Sequence, residues 1–199
     1  MKLKFLFLII LISFSSYSQE KDDLFNMIEQ EEKEIELLPE KMIFTQSILW
    51  GKKGLFRKTG ISPLNLKNRE KELKIRKTML VTHQAIGYLT LASMIAQGII
   101  GGKLYNGQDD LLNTHKTMGK IVNIGYFTGA GLSLFSPPAL INKKVKGLNS
   151  IKAHKMLATL HFSAMVATNY YKDKNKSNHK AAAYTAFASY ATAVLVIKF

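Results

Sequence analysis

The sequence lacks cysteine entirely and contains only four prolines among its 199 residues. Without cysteine, the chain can form no disulfide, thiolate metal site, Fe–S cluster or CxxCH-type covalent haem. Acidic residues are also scarce from residue 41 onward, where five Asp and Glu stand against 24 Lys and Arg. The net charge of +14 is spread between apolar runs, which is typical of a membrane protein and not of a nucleic-acid-binding protein.

The N-terminus has the pattern of a secretory signal peptide. Lys2 and Lys4 precede an apolar run, and Ser16 and Ser18 suit the small-residue positions of a signal-peptidase site. We therefore expect a signal peptide at residues 1–18, with an uncleaved signal anchor as the alternative. In either case residues 19–74 would be extracytoplasmic.

Residues 19–74 form a charged segment in which we expect short amphipathic helices. Its first part is acidic, with nine Asp and Glu and two lysines in residues 20–40. Trp50 is followed by a lysine pair, a combination typical of a helix that lies at the lipid headgroups. An ordinary packed surface helix is the alternative interpretation.

Four apolar spans follow, at about residues 79–101, 115–135, 151–171 and 179–199, and none of them contains Asp or Glu. A helix of about 20 residues can cross the hydrocarbon core of a bilayer. The spans are rich in glycine and alanine, which allow transmembrane helices to approach closely. Because the loops are short, we expect an all-α integral membrane bundle of four up-and-down helices in residues 75–199, in a bacterial-type inner membrane. A soluble four-helix bundle is the alternative.

Four of the five histidines begin a repeated pattern in which a small residue follows four positions later. The pairs are His83 with Gly87, His115 with Gly119, His154 with Ala158, and His179 with Ala183. Residues at i and i+4 share a helix face, so each small residue would leave room beside its histidine for a flat macrocycle. We expect a helix N-terminus to keep each imidazole neutral, as a metal ligand must be.

The order of the spans predicts how these histidines pair. Spans one and three begin on one side of the membrane, and spans two and four begin on the other. His83 and His154 should therefore share a level near one face, and His115 and His179 a level near the opposite face. Each pair lies on alternate helices, which suits two bis-histidine b-type haems. Each histidine taken alone could equally be an ordinary polar residue near a helix end.

Lysines follow three of these histidines directly, at Lys116, Lys155 and Lys180, and could pair with haem propionates. Gln84 takes this position in the first span. The fifth histidine, His161, lies two turns after His154 on the same helix and is an alternative ligand. We favour His154, because Met165 stands four residues after His161 and would crowd a porphyrin.

With this arrangement of histidines and glycines, residues 75–199 resemble the cytochrome b561 superfamily. Its members have a central four-helix core with two b-type haems whose ligands are paired between alternate helices. The resemblance implies electron transfer across a membrane, from a small reductant or quinol to an acceptor on the other side. The basic motifs that contact ascorbate in eukaryotic members are not recognisable here. The expected partners are membrane lipid, an electron donor and an acceptor, with a second copy of the chain as a further candidate.

Two other functions are compatible with a helical membrane protein. One is a haem-free structural or assembly protein, and the other is a proton or metal transporter with histidine relays. The absence of Asp and Glu from the spans argues against the transporter. Topology signals also conflict: a signal peptide places the cation-rich residues 51–77 and 136–153 outside, against the positive-inside rule. We give the signal peptide more weight, because the first segment usually sets orientation.

Overall fold

The computed structural model describes residues 36–140 and 149–197. Within these ranges the chain forms six α-helices and no strand, so the all-α prediction is confirmed. The helices are α1 (Phe44–Trp50), α2 (Leu55–Lys58), α3 (Leu66–Tyr105), α4 (Leu112–Leu134), α5 (Ser150–Tyr171) and α6 (Lys176–Val196). The predicted signal peptide and most of the acidic segment lie outside the described residues.

Asparagines start three of the four long helices. The side chains of Asn65, Asn149 and Asn175 each accept the backbone N–H of the residue three positions later, at 2.8–2.9 Å. Asparagine is among the best N-cap residues, because its side chain satisfies a backbone donor that the first turn leaves unpaired. Helix α4 follows directly on a 3-10 turn, Asp109–Leu111, and ends shortly before Pro137 and Pro138.

Helix α3 begins well before the predicted span. It has 40 residues, so the expected boundary between residues 74 and 75 falls inside a continuous helix. His83 is consequently the 18th residue of α3, whereas the other three repeat histidines lie within the first five residues of their helices. The expectation that a helix N-terminus keeps the imidazole neutral therefore does not apply to His83, because the field of a terminus fades within the first turn.

Within the described part of the chain, one helix, Leu66–Tyr105, is long and apolar enough to cross a membrane by length and composition alone. Helices α4, α5 and α6 have 23, 22 and 21 residues, but Thr, Ser, Asn and Lys interrupt their apolar sequence. The helical architecture is established by the structure, and the crossing of a membrane by four spans stays a prediction.

The long helices form two hairpins. Helix α3 packs along α4 and α5 packs along α6, and α3 also contacts α6. The positions 4, 7, 11 and 14 residues after each repeat histidine are buried or half-buried on all four helices. This alternation of four and three residues is the spacing of a bundle seam. The central buried cluster consists of Met94, Val122, Tyr126, Ala164, Met165 and Ala186.

Residues 37–65 cover one end of the bundle, and we call this segment the cap. Trp50 is buried, and its Nε1 donates a hydrogen bond to the carbonyl of Phe135 at 3.0 Å. Thr45 donates its hydroxyl to the carbonyl of Leu134 at 2.5 Å. Trp50 therefore packs on the end of α4, and the position of α1 at the lipid headgroups stays a prediction.

Candidate cofactor site: two histidine pairs

The bundle brings the four repeat histidines together in two pairs. The ring centroids of His83 on α3 and His154 on α5 are 6.4 Å apart, with ring planes at 88°. Those of His115 on α4 and His179 on α6 are 6.2 Å apart, with ring planes at 84°. Each pair joins alternate helices, the combination that the order of the spans predicts.

Backbone carbonyls hold one nitrogen of three of these rings. Nδ1 of His83 lies 2.8 Å from the carbonyl oxygen of Gly129. Nδ1 of His154 lies 3.0 Å from that of Ala193, and Nδ1 of His179 lies 2.9 Å from that of Thr168. Because a carbonyl only accepts, Nδ1 must carry the proton, and Nε2 of the neutral ring keeps its lone pair.

His115 has a side-chain neighbour in place of a carbonyl. Its Nε2 lies 3.3 Å from the amide nitrogen of Gln97 on α3. In the described part of the chain, Nδ1 of His115 and the amide oxygen of Gln97 are both buried without a hydrogen-bond partner. An unpaired buried polar atom is costly, so a ligand for the His115 ring would remove a real penalty.

The partners of the four rings occupy equivalent positions. On each helix, the residue that contacts a histidine of another helix lies 14 positions after that helix's own repeat histidine. These residues are Gln97 on α3, Gly129 on α4, Thr168 on α5 and Ala193 on α6. At 1.5 Å rise per residue, 14 residues separate the two levels by about 21 Å. Sequence reasoning missed these partners, because three of them act through backbone carbonyls, which every residue has.

A polar aromatic layer lies between the two levels. The hydroxyl of Tyr126 is 2.5 Å from Nδ1 of His161, and the ring centroids of His161 and Tyr190 are 5.0 Å apart. Tyr190 donates its hydroxyl to the carbonyl of Gly87 at 3.2 Å. His161 thus faces two tyrosines, whereas His154 faces His83, and the geometry favours His154 as the partner of His83.

Side chains, and not open space, lie beside the two repeat glycines. A Cβ at Gly87 would lie 3.6 Å from the hydroxyl of Tyr190, and one at Gly119 would lie 3.3 Å from the amide nitrogen of Gln97. Space for a macrocycle at these positions would require Tyr190 and Gln97 to move. The corresponding residues of α5 and α6, Ala158 and Ala183, are half-buried.

The three lysines expected near propionates differ in their surroundings. Lys116 and Lys155 are exposed, each one residue beyond a histidine that faces the core. Lys180 is half-buried, and its Nζ lies 3.7 Å from the centre of the Tyr105 ring at the end of α3.

A buried ion cluster fastens the cap to the end of the bundle that holds His83 and His154. Glu72 is paired with Arg57 and Arg69, and each of the three side chains is at most 6% exposed. Arg69 also donates to the carbonyls of Leu37 and Pro138. Burial opposes the ionised form of Glu72, but hydrogen bonds from Arg57, Ser62 and Arg69 outweigh it and lower its pKa below 4.5.

Comparison of the chain with protein-family models, curated proteins and solved structures finds no match. The resemblance to the cytochrome b561 superfamily is therefore neither supported nor refuted by known proteins. In the described residues, no three His, Asp or Glu side chains come together as a metal site.

Proposed function

We propose that the chain is an integral membrane electron-transfer protein whose helices α3–α6 cross the bilayer and hold two b-type haems. One haem would bind between His83 and His154, and the other between His115 and His179. The observation that carries the proposal is the spacing of the two histidine pairs.

The spacing of the rings suits two ligands on opposite sides of one metal. An imidazole nitrogen binds a first-row metal at about 2 Å and lies about 1.15 Å from its own ring centre, so opposed imidazoles have centroids about 6.3 Å apart. The observed separations are 6.4 Å and 6.2 Å. Edge-to-face ring contacts also cover this range, at about 4.5–7 Å, so the support for ligation comes from the recurrence of the distance at both levels.

The hydrogen bonds leave a lone pair where a metal needs one. Metal-binding histidines commonly donate their second ring nitrogen to a carbonyl, which fixes the tautomer and the orientation of the ring. His83, His154 and His179 each do so. His115 has a buried nitrogen with no partner in the described part of the chain. The four histidines could therefore each present a ring nitrogen to a haem iron once the side chains of Tyr190 and Gln97 had moved aside.

The outer surfaces of the long helices support a lipid environment. Each long helix carries at least one large apolar residue that is about two-thirds exposed or more: Leu89 (70%), Ile124 (69%), Met156 (67%) and Leu195 (79%). Exposed hydroxyls bond to carbonyls of their own helix, as for Ser93, Thr159 and Thr192 at 2.8–3.1 Å. Polar groups in a bilayer core need such internal partners, because no water is present to satisfy them.

The separation of the two levels is compatible with electron transfer across a membrane. About 21 Å along the helices covers most of the roughly 30 Å hydrocarbon core, so the pairs would lie near opposite membrane faces. Haem iron cycles between ferric and ferrous states and so carries one electron at a time. The histidines orient the two centres, and the packed core between them excludes water.

The test is the haem content of the full chain purified from membranes in detergent after expression with ample haem. We expect about two haems per chain, a low-spin spectrum for both, and two one-electron components in a redox titration. A colourless protein that still fractionates with membranes would overturn the proposal and favour a haem-free structural or assembly protein.

Histidine variants assign the two centres. His83→Ala and His154→Ala should remove one redox component, and His115→Ala and His179→Ala should remove the other. His161→Ala is the matched control, because His161 faces tyrosines and belongs to neither pair. Loss of the same component from the His83 and His115 variants would show that the pairing is wrong.

A further inference from the structure

The first helix of the cap carries apolar side chains on its exposed face. Phe44 and Ile48 lie one turn apart on the same face of α1 and are 79% and 49% exposed. Ile43, directly before the helix, is 39% exposed. Thr45 and Trp50 of the same helix bond to the bundle. Helix α1 therefore packs with one face and leaves an apolar face outside.

This apolar face continues onto the bundle. Thr45 and Trp50 bond to the carbonyls of two residues at the end of α4, Leu134 and Phe135. The side chains of these two residues are 40% and 49% exposed. Because α4 crosses the bilayer in the proposed function, its end lies at a membrane face, and α1 lies at the same level. We call the exposed apolar residues at this level the strip, and it consists of Ile43, Phe44, Ile48, Leu134 and Phe135.

Positive charge accompanies the strip. Lys52 and Lys53 follow α1 directly, and both are exposed. Residues 41–77 contain 11 Lys and Arg against two Glu, and ion pairs within this range already occupy both glutamates. An apolar face with cations beside it is typical of a segment that lies on an anionic membrane surface.

We propose that the cap docks on the membrane surface, with the strip at the boundary between headgroups and lipid chains, and with Lys52 and Lys53 at the phosphates of anionic lipids. This inference rests on the membrane crossing in the proposed function, and it does not depend on haem. It assigns the lipid contact to Phe44 and Ile48, whereas the sequence pointed to Trp50, which is buried.

Single-cysteine labelling of the full chain tests the proposal, because the chain has no cysteine of its own. A fluorophore is attached to Phe44→Cys or Ile48→Cys, and the protein is placed in nanodiscs of phosphatidylcholine and phosphatidylglycerol. We expect nitroxide-labelled lipid to quench both fluorophores and iodide in the water to leave them bright. Gln108→Cys is the matched control, because Gln108 is exposed in the turn between α3 and α4, and iodide should quench its label.

The lipid charge is tested with the label at position 44. Nitroxide-labelled phosphatidylglycerol should quench it more strongly than nitroxide-labelled phosphatidylcholine does, and salt should reduce the difference. The double variant Lys52→Gln, Lys53→Gln should lose this preference. The control double variant Lys120→Gln, Lys172→Gln removes the same charge from exposed positions outside the cap and should keep it. Equal quenching by the two lipids in the unaltered chain would overturn the anionic surface.

The outcomes separate this inference from the proposed function. Iodide quenching at positions 44 and 48 as strong as at 108, in a chain that resists extraction from membranes by alkaline carbonate, would show that the strip faces water, and the membrane crossing would stand. Protection from both quenchers would assign the strip to a protein contact, such as a second copy of the chain, and would also overturn the inference. Release of the unaltered chain by carbonate would refute the membrane crossing itself.

Discussion

The two ends of the bundle hold similar histidine pairs in different surroundings. At the cap end, His83 and His154 both meet backbone carbonyls, and residues 37–65 cover the helices. At the loop end, His179 meets a carbonyl but His115 meets Gln97, and short turns join the helices. At the cap end both histidines thus meet groups that only accept hydrogen bonds, whereas at the loop end one histidine meets a side chain that can both donate and accept. We infer that the two ends differ in rigidity and in response to substitution.

The largest expected effect is at the cap end, from Glu72→Gln. The substitution leaves Arg57 and Arg69 buried without their counter-charge, which typically costs about 3–5 kcal/mol. The free energy of unfolding in detergent should fall, and limited proteolysis should cut the cap first. Glu70→Gln is the control, because Glu70 and its partner Lys74 are 60% and 74% exposed. Equal losses from the two variants would show that the buried cluster does not fasten the cap.

A smaller effect should appear when a methyl group is added next to a histidine at the loop end. A Cβ at Gly101 would lie 2.9 Å from Cε1 of His115, so Gly101→Ala should force the ring to move. We expect the free energy of unfolding to fall by about 1–3 kcal/mol. The redox component of the loop end should shift or disappear. At the cap end, Gly129→Ala should be tolerated, because its Cβ would lie 3.7 Å from Nδ1 of His83.

Gly98→Ala is the control for the backbone of α3, since nothing lies within 4 Å of the Cβ that it adds. We expect it to stabilise the helix by about 0.5–1 kcal/mol, because alanine is the better helix former. If Gly98→Ala perturbs the loop end as much as Gly101→Ala does, contact with His115 is not the cause.

The layer between the two ends should respond to loss of one hydroxyl. Tyr126→Phe leaves Nδ1 of His161 without its partner, and we expect a loss of about 1–3 kcal/mol in unfolding free energy. Tyr190→Phe should cost less, about 0.5–1.5 kcal/mol, because it removes only a hydroxyl donor to the Gly87 carbonyl. Both redox components should remain. Loss of either component from Tyr126→Phe would place His161 within a centre and contradict the assignment of His154.

The last expected effect, which appears only in acid, is a pH dependence confined to the cap end. Because hydrogen bonds from Arg57, Ser62 and Arg69 lower the pKa of Glu72 in the folded protein, its ionised form contributes stability above the ordinary pKa of a glutamate. This contribution is lost as the pH falls through the folded-state pKa, so the cap should become sensitive to protease in that range. Glu72→Gln should remove this part of the pH dependence. An unchanged acid profile in the variant would assign the effect to other carboxylates.

Much of the architecture follows from the sequence alone. Apolar periodicity predicts the long helices, and short loops predict that they alternate in direction. Once the direction alternates, histidines near the starts of spans one and three should lie near the same end, and the structure selects His154 over His161 as the neighbour of His83. Helix α3 starts well before the predicted span, at the N-cap Asn65, and Arg69 holds its charged first part against the cap and the segment that follows α4.

The sequence by itself determined the helical class, the repeat of four histidines and the levels at which they lie. Tertiary structure decided which atoms those histidines meet: carbonyls for three of them, Gln97 for His115 and Tyr126 for His161. The physical reason is that periodicity fixes which residues share a helix face, whereas contacts between helices also depend on how each helix is rotated and shifted against its neighbours. That rotation and shift follow from the packing of all four helices together.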